Sequence, residues 1–306
     1  MRPLSFFLHN PYEIFVSAAK KVKVLFPDET FLKIIFRSRK GYKLNLKNPK
    51  AFSEKLQWLK LHDRRPEYVK MVDKYAVKDY VSSILGPEIT IPTLGVWDTV
   101  DDIEWDKLPD QFVLKCTHDS GGIVICRDKS KLDRKEAKKK LKYGLHRDYY
   151  LTEREWPYKN VKRRIIAEQL LLPRTEDGEV QDLYDYKFFT FNGEPKVLLF
   201  CSERKNGTSK WDFFDMEMNR IPVAAIHHCT TTIDLDKVID RDAFERMKSI
   251  ARALSKDLAF VSVDLYYVNK QIYFGELTFY SGSGFLSYDP ADFDITLGNM
   301  LKLPIE

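Results

Sequence analysis

Residues 260–279, FVSVDLYYVNKQIYFGELTF, alternate between apolar and polar side chains along two strands joined by a short loop. Strand side chains point to opposite faces in turn, so Val261, Val263 and Leu265 share one face with Leu277 and Phe279, and Ser262, Asp264, Glu276 and Thr278 share the other. Asp264 and Glu276 lie twelve residues apart, an even number, and an odd loop such as Asn269-Lys270-Gln271 sets the two carboxylates directly opposite each other. The same register pairs Val263 with Leu277 and Val261 with Phe279. Apolar and acidic faces therefore agree on one alignment, that of an antiparallel hairpin with one side on a core.

Two carboxylates held about 5 Å apart across a ladder repel unless a cation or proton lies between them. A divalent metal answers this, and with two protein oxygens, the rest coming from water and phosphates, the hard ion is Mg²⁺. The alternative is two solvent-facing acids on an edge hairpin. A second feature points to an anion. Lys115 ends the buried run FVLK and is followed by THDSGG, whose glycines let backbone N–H groups approach closely. A lysine at a strand end beside a small-residue loop suits nucleotide phosphates. The residue order is not that of a GxxxxGK(S/T) phosphate loop.

The rest of the chain supplies an α+β frame. From Asn45 to about Leu85 the spacing is helical, with Ser53 expected as N-cap before EKLQWLKL and Asp73 opening a run in which Tyr75, Ala76, Tyr80 and Val81 share a face. Beyond Leu108-Pro109, strands are expected at Phe112 to Leu114, Ile123 to Cys126, Ile165 to Leu172 and Lys187 to Phe200, the last folded about an Asn192-Gly193 turn. Helices are expected from Ser130 to about Tyr143 and from Asp242 to Leu258. The first carries KEAKKKLK, which is either a solvated face or a polyanion site. With 306 residues, 44% hydrophobic and 31% charged, the chain is expected to fold as two or three subdomains, and disorder is excluded. The expected divisions are 1–44, 45–110, 111–172 and 173–306. No run of 18 apolar residues occurs.

Fifty Lys and Arg face forty-five Asp and Glu, but nine basic and three acidic residues fall within residues 1–44, which leaves −1 for everything after. That balance argues against a nucleic-acid binder. The N-terminal excess sits on two amphipathic stretches, Phe15 to Phe26 around Lys20, Lys21 and Lys23, then Phe31 to Phe36 before Arg37, Arg39 and Lys40. They read as a helical cap on the body or as a peripheral contact with the cytoplasmic face of the inner membrane. The order of residues is not that of a secretory signal. Cys116, Cys126, Cys201 and Cys229 lack CxxC spacing, which points to reduced thiols and a cytoplasmic location. His227-His228-Cys229 is a poor zinc set, because neighbours on a strand face opposite ways.

Four segments in order, NPKAFSEKLQWLKL, DKYAVKDYV, FVLKCTHDSGG and VDLYYVNKQIYFGELTFYSGSGF, resemble the TupA-like family of the ATP-grasp superfamily, from about Asn45 to Ser287. The resemblance implies an ATP-grasp fold, two α+β subdomains gripping ATP, here with an N-terminal helical extension. It implies that Lys74 and Lys115 meet the nucleotide phosphates and that Thr117, His118, Ser120, Gly121 and Gly122 belong to a glycine-rich lid. Glu168, Gln169 and Leu170 look like the adenine hinge. Asp264 and Glu276 match the Mg²⁺ carboxylates, with Thr278 standing where the superfamily often has Asn. Lys187, in DYKFFTFNGEP, is a further phosphate contact. Arg204, after the strand VLLFCSE, is expected to clamp the acceptor carboxylate or acylphosphate, since its planar fork matches two oxygens. The loop Ser281-Gly282-Ser283-Gly284 is expected beside the acceptor.

The chemistry so implied is ATP-dependent joining of a carboxylate, small or polysaccharide-linked, to an amine in building a bacterial surface polysaccharide. Its rivals are a glycosyltransferase, for which Asp101-Asp102 is the nearest acidic pair, and a non-catalytic nucleotide-binding scaffold at the membrane. The number of subunits stays open.

Overall fold

A computed structural model describes residues 26–175, 177–203 and 209–304. The chain begins with helices α1 (Asp28–Lys40), α2 (Phe52–His62), α3 (Glu67–Val72) and α4 (Val77–Leu85). Next come β1 (Thr93–Trp97), β2 (Phe112–Cys116), β3 (Ile123–Cys126), α5 (Arg134–His146), α6 (Tyr150–Glu153) and β4 (Ile165–Gln169). The C-terminal half contains β5 (Asp185–Phe191), β6 (Glu194–Ser202), β7 (Lys210–Phe214), β8 (Arg220–Ile221), β9 (Ala224–Ala225) and α7 (Arg241–Leu254). It closes with β10 (Phe260–Val268), β11 (Gln271–Thr278), β12 (Tyr288–Asp289) and α8 (Phe293–Met300). Among the described residues no helix is long and apolar enough to cross a membrane.

Two antiparallel sheets organise the molecule, one of four strands in the order β1-β4-β2-β3 and one of six in the order β11-β10-β5-β6-β7-β8. Strand alternation decides what each sheet buries. On the small sheet Phe112, Leu114, Val124, Ile165 and Ala167 form a core with Ala137 and Leu141 of α5. Lys115, Ile123 and Glu168 occupy the other face. On the large sheet Phe188 meets Phe244 of α7, their ring centroids 5.5 Å apart. The opposite face packs Phe189, Phe191 and Phe260 around Phe52 of α2. Farther along that same face come Asp185, Lys187 and Asp264. They are the polar end of a face whose apolar end α2 already covers.

Helix α7 shows how local sequence sets this packing. Asp240 caps it by accepting from the Ala243 amide at 2.7 Å, a contact of about 1 kcal/mol. Ala243, Phe244, Met247, Ala251 and Leu254 are all buried, and each large member contributes roughly 1.5–3 kcal/mol by leaving water. The Asn192-Gly193 turn is present, both residues having positive φ, 51° and 86°.

One expectation changes, and one pair of alternatives is narrowed. Helix α2 begins at Phe52, so Ser53 is not its N-cap. Its amide and hydroxyl instead donate to Asp294 of α8 at 2.9 and 2.7 Å, and Glu54 takes the Lys50 and Ala51 amides. A carboxylate 241 residues away performs the capping, which no local pattern reveals. The apolar residues Phe31, Leu32, Ile35 and Phe36 of α1 are wholly buried with Leu44 and Phe285, while Arg39 pairs with Glu153 and Lys40 with Asp294. This second amphipathic stretch is a cap on the body. The Phe15 to Val22 stretch lies outside the described residues.

Candidate active site

A cleft of about 350 Å³ opens between the inner faces of the two sheets, lined by Lys74, Lys115, Glu168, Lys187 and Glu276. Ser120, Gly121 and Gly122 form its lip. The loop has little room to vary: a Cβ on Gly122 would come within 2.8 Å of an Asp119 carboxylate oxygen and 3.1 Å of Cys116 Sγ.

Asp264 and Glu276 stand opposite each other across β10 and β11, as the alternation requires. The turn between the strands is shorter than expected, however. Val268 pairs with Gln271, so only Asn269 and Lys270 span it, both with positive φ. Near the turn, paired residues are out of step with the acidic pair by one residue. The register shift lies between Asp264 and Leu265, where Gly275 is the extra residue of a β-bulge. A Cβ there would meet the Asp264 carbonyl oxygen and the Tyr266 ring, both at 3.0 Å, which explains a glycine inside the strand.

Behind this pair Lys187 lies opposite Asp264 on β5. Its ammonium bonds Asp264 and reaches Asp185 at 2.9 Å, and Ser262 donates to the other Asp264 oxygen at 2.6 Å. Burial would lower Lys187, but Asp185, Asp264 and Glu276 together raise it well above the ordinary lysine range. It is a permanent cation. Burial first, then the neighbouring acids Asp185 and Glu276, push Asp264 up to about 7 in spite of Lys187. Three carboxylates, Asp185, Asp264 and Glu276, share two ammoniums, Lys187 and Lys74, so the cluster is short of positive charge.

A second buried pair holds the roof. Lys115 donates to Glu168 at 2.7 Å, and Lys78 takes the other Glu168 oxygen at 2.5 Å. Burial opposes the charge on all three. Glu168 nonetheless stays below the usual carboxylate range, because two ammoniums flank it, and Lys115 is raised. Lys78 is lowered by burial, since one shared carboxylate does not offset its desolvation. Lys74 completes the set, donating to the Asp119 carbonyl at 2.7 Å and lying 3.8 Å from Glu276.

The structure thus gathers Lys74, Lys115, Ser120, Gly121, Gly122, Glu168, Lys187 and Glu276 at one cleft, with Asp264 beneath Lys187. Other expected contacts point elsewhere. Thr117 is buried and bonds the Lys162 carbonyl and the Arg164 amide. His118 is buried against the Arg147 carbonyl, and burial lowers its pKa. Gln169 is exposed and Leu170 half-buried, neither lining the cleft; Thr278 pairs with Ser262 on the ladder. Arg204 lies outside the described residues. Cys116 is buried, and burial pushes its thiol up to about 12.

Sequence reasoning missed Lys78, Asp119, Asp185, Tyr266 and Trp211. Trp211 lines the cleft and stacks on His228, centroids 3.6 Å apart, which gives part of the His-His-Cys run a packing role. Asp185 was detectable, being two residues before Lys187 and so on the same strand face.

The donors fit a hard divalent cation. Two carboxylates face each other, oxygen is the only ligand type they offer, and the acids around Asp264 outnumber the ammoniums that reach them. Among the described residues no group of three or more His, Cys, Asp or Glu converges as a metal cage.

A family model described as TupA-like ATP-grasp matches residues 54–302. The chain belongs to the TupA-like ATP-grasp family. The matched region begins inside α2, so α1 precedes it. No curated protein matches the chain. Among solved structures it is similar to D-alanine–D-alanine ligase from Bacillus anthracis complexed with ATP, at 14% identity and TM-score 0.40, covering 68% of this chain and 54% of that one. The same enzyme from Helicobacter pylori gives 14% and 0.41, covering 76% and 61%. Phosphoribosylamine–glycine ligase from Thermotoga maritima gives 13% and 0.37, covering 69% and 48%. The TupA-like chain therefore spans roughly half to three-fifths of these proteins.

Proposed function

We propose that this protein is an ATP- and Mg²⁺-dependent carboxylate–amine ligase acting through an acylphosphate, in the building or amide modification of a bacterial surface polysaccharide. The observation that carries the reading is the meeting, in one cleft, of three lysines from different elements with Glu276, whose ladder partner Asp264 lies just beneath, bonded to Lys187. Phosphoryl transfer asks a protein for alignment and charge neutralisation more than for covalent help.

Each residue has a task in that reaction. Lys115, held by Glu168, presents a fixed cation from the roof, and Lys74 presents another at the lip. Lys187 reaches the cleft from the floor and steadies the transferring group. Asp264 and Glu276 would hold Mg²⁺, which supplies charge neutralisation on the triphosphate oxygens when bound. The Ser120–Gly122 lip narrows solvent access, as a water-sensitive acylphosphate requires. A substrate carboxylate oxygen takes the γ-phosphoryl group as the bond from the γ-phosphorus to the bridging oxygen breaks and ADP leaves; the amine then forms the C–N bond as the C–O bond to phosphate breaks, releasing phosphate and a proton.

An ADP-release screen across uronic acids and amino acids, with mass spectrometry for the dehydrated conjugate, tests the reading. ADP, phosphate and an amide product are expected. AMP with pyrophosphate would replace the acylphosphate by an adenylate. ATP binding with no turnover on any acceptor would leave the scaffold alternative.

A further inference from the structure

The positive charge of this protein is segregated. Residues 127–147 hold ten basic and three acidic side chains, a balance of +7, while residues 1–44 hold +6. With a total of +5, everything else amounts to −8. Most of the +7 lies on α5, the outer helix of the four-stranded sheet. Its buried residues are Ala137, Leu141 and Gly144. At 100° per residue these share one stripe, and Lys135, Lys139, Lys142 and His146 form a second stripe directly opposite. All four are exposed. Beside them Tyr143 is 75% exposed, the most exposed of the large hydrophobic side chains among the described residues. The stripe spans twelve residues, about 16 Å of helix axis from the first to the last.

The C-terminal end of α5 adjoins the cleft. Arg147, the residue after α5, donates to the Ser120 carbonyl at 3.1 Å. Gly144, on the buried side of the same helix end, lies so close to the glycine loop that a Cβ on it would meet an Asp119 carboxylate oxygen at 3.3 Å and Gly122 Cα at 3.4 Å.

We propose that the exposed face of α5 docks an extended anionic polysaccharide bearing carboxylates along its length, and delivers it to the mouth of the cleft. Lys135, Lys139 and Lys142 pair with successive carboxylates, and the flat ring of Tyr143 lies against the C–H face of a sugar. A lipid bilayer fits less well, because the apolar side of α5 is spent in the core and offers nothing to insert. A nucleic acid fits less well too, since one tyrosine gives no series of stacking platforms. The occupant deepens the ligase reading, which names a polysaccharide context, but binding needs no turnover and is tested without ATP.

The experiment measures binding of fluorescently labelled polygalacturonate to the full chain, with Lys135→Glu/Lys139→Glu/Lys142→Glu, Lys135→Gln/Lys139→Gln/Lys142→Gln and Tyr143→Ala as variants. Binding that weakens steeply with salt is expected, falling about tenfold or more in both triple variants at unchanged melting temperature. Tyr143→Ala should remove any preference for polygalacturonate over polyglutamate of equal charge. Equal affinity of the triple variants and the parent overturns the proposal. So does equal binding of neutral dextran, or tighter binding of phosphatidylserine vesicles or single-stranded DNA through the same lysines. Loss of polymer binding leaves the ADP-release result untouched, so the two readings fail separately.

Discussion

Replacing Glu168 by Gln removes the one negative charge between Lys115 and Lys78, whose ammoniums approach it at 2.7 and 2.5 Å. The glutamate side chain is 6% exposed and the lysines 20% and 12%. Removing one partner of a buried pair costs about 3–5 kcal/mol, because the other charge is left uncompensated. Some solvent reaches both ammoniums here, which places the cost near the lower end, about 3 kcal/mol. At roughly 2–4 °C per kcal/mol that is a fall in Tm of about 6–12 °C.

The pH dependence is diagnostic. In the parent, Glu168 titrates below its ordinary 4.5, so its contribution is complete above that pH and is lost as pH falls through the folded value. Lys115 titrates above its ordinary 10.5, so its contribution is complete below that pH and is lost as pH rises through the folded value. Between these limits the stabilisation from both groups is level. In Glu168→Gln both lysines lose their counter-charge and burial depresses them. The unfolded chain then binds more protons than the native one, and stability rises with pH. Denaturant unfolding from pH 7 to 10 should show the deficit shrinking. A deficit under about 1 kcal/mol that does not change with pH would refute the reasoning.

Glu276→Gln should abolish Mg²⁺-dependent ADP release while moving the melting temperature by no more than a few degrees, since this side chain is 43% exposed; full activity contradicts the metal assignment. Because Asp264 titrates at about 7, protons compete with the cation below that pH, and the Mg²⁺ concentration for half-maximal ADP release should rise by about tenfold per pH unit there; a flat requirement from pH 7 to 5.5 opposes the assignment. Ile35→Ala should cost roughly 2–5 kcal/mol by denaturant titration, as for a wholly buried core residue; a negligible loss would mean that α1 is not a fixed part of the body.

What the sequence could reveal followed the reach of its patterns. Alternation placed Asp264 opposite Glu276, and the Asn192-Gly193 turn sat where its backbone demands put it, because both depend on neighbours within one hairpin. The bulge at Gly275 escaped notice since a two-residue turn plus one extra residue gives the same parity as an odd loop. Ser53 read as a cap because Ser is a good one, yet Asp294 lay too far along the chain to be seen as its competitor. Thr117 and His118 were grouped with the glycines beside them, although loop residues point where their partners are, and Lys162, Arg164 and Arg147 are brought up only by the tertiary fold. Lys78 and Asp185 carry the same lesson for charge: an isolated lysine or aspartate says nothing until its counter-ion arrives.

The extra residue at Gly275 also decouples the two ends of its hairpin. Because the step lies between the acids and the turn, the alignment of Asp264 with Glu276 is inherited from β5 and the core behind it, and the tip is free to follow its own geometry. Lengthening the tip by a pair of residues would leave the acids facing each other. Deleting the single glycine would also keep them facing, since Phe274 and Glu276 would become neighbours opposite Leu265 and Asp264 in an unbroken ladder; what would go is the local bend that the extra residue puts into β11 beside the acids.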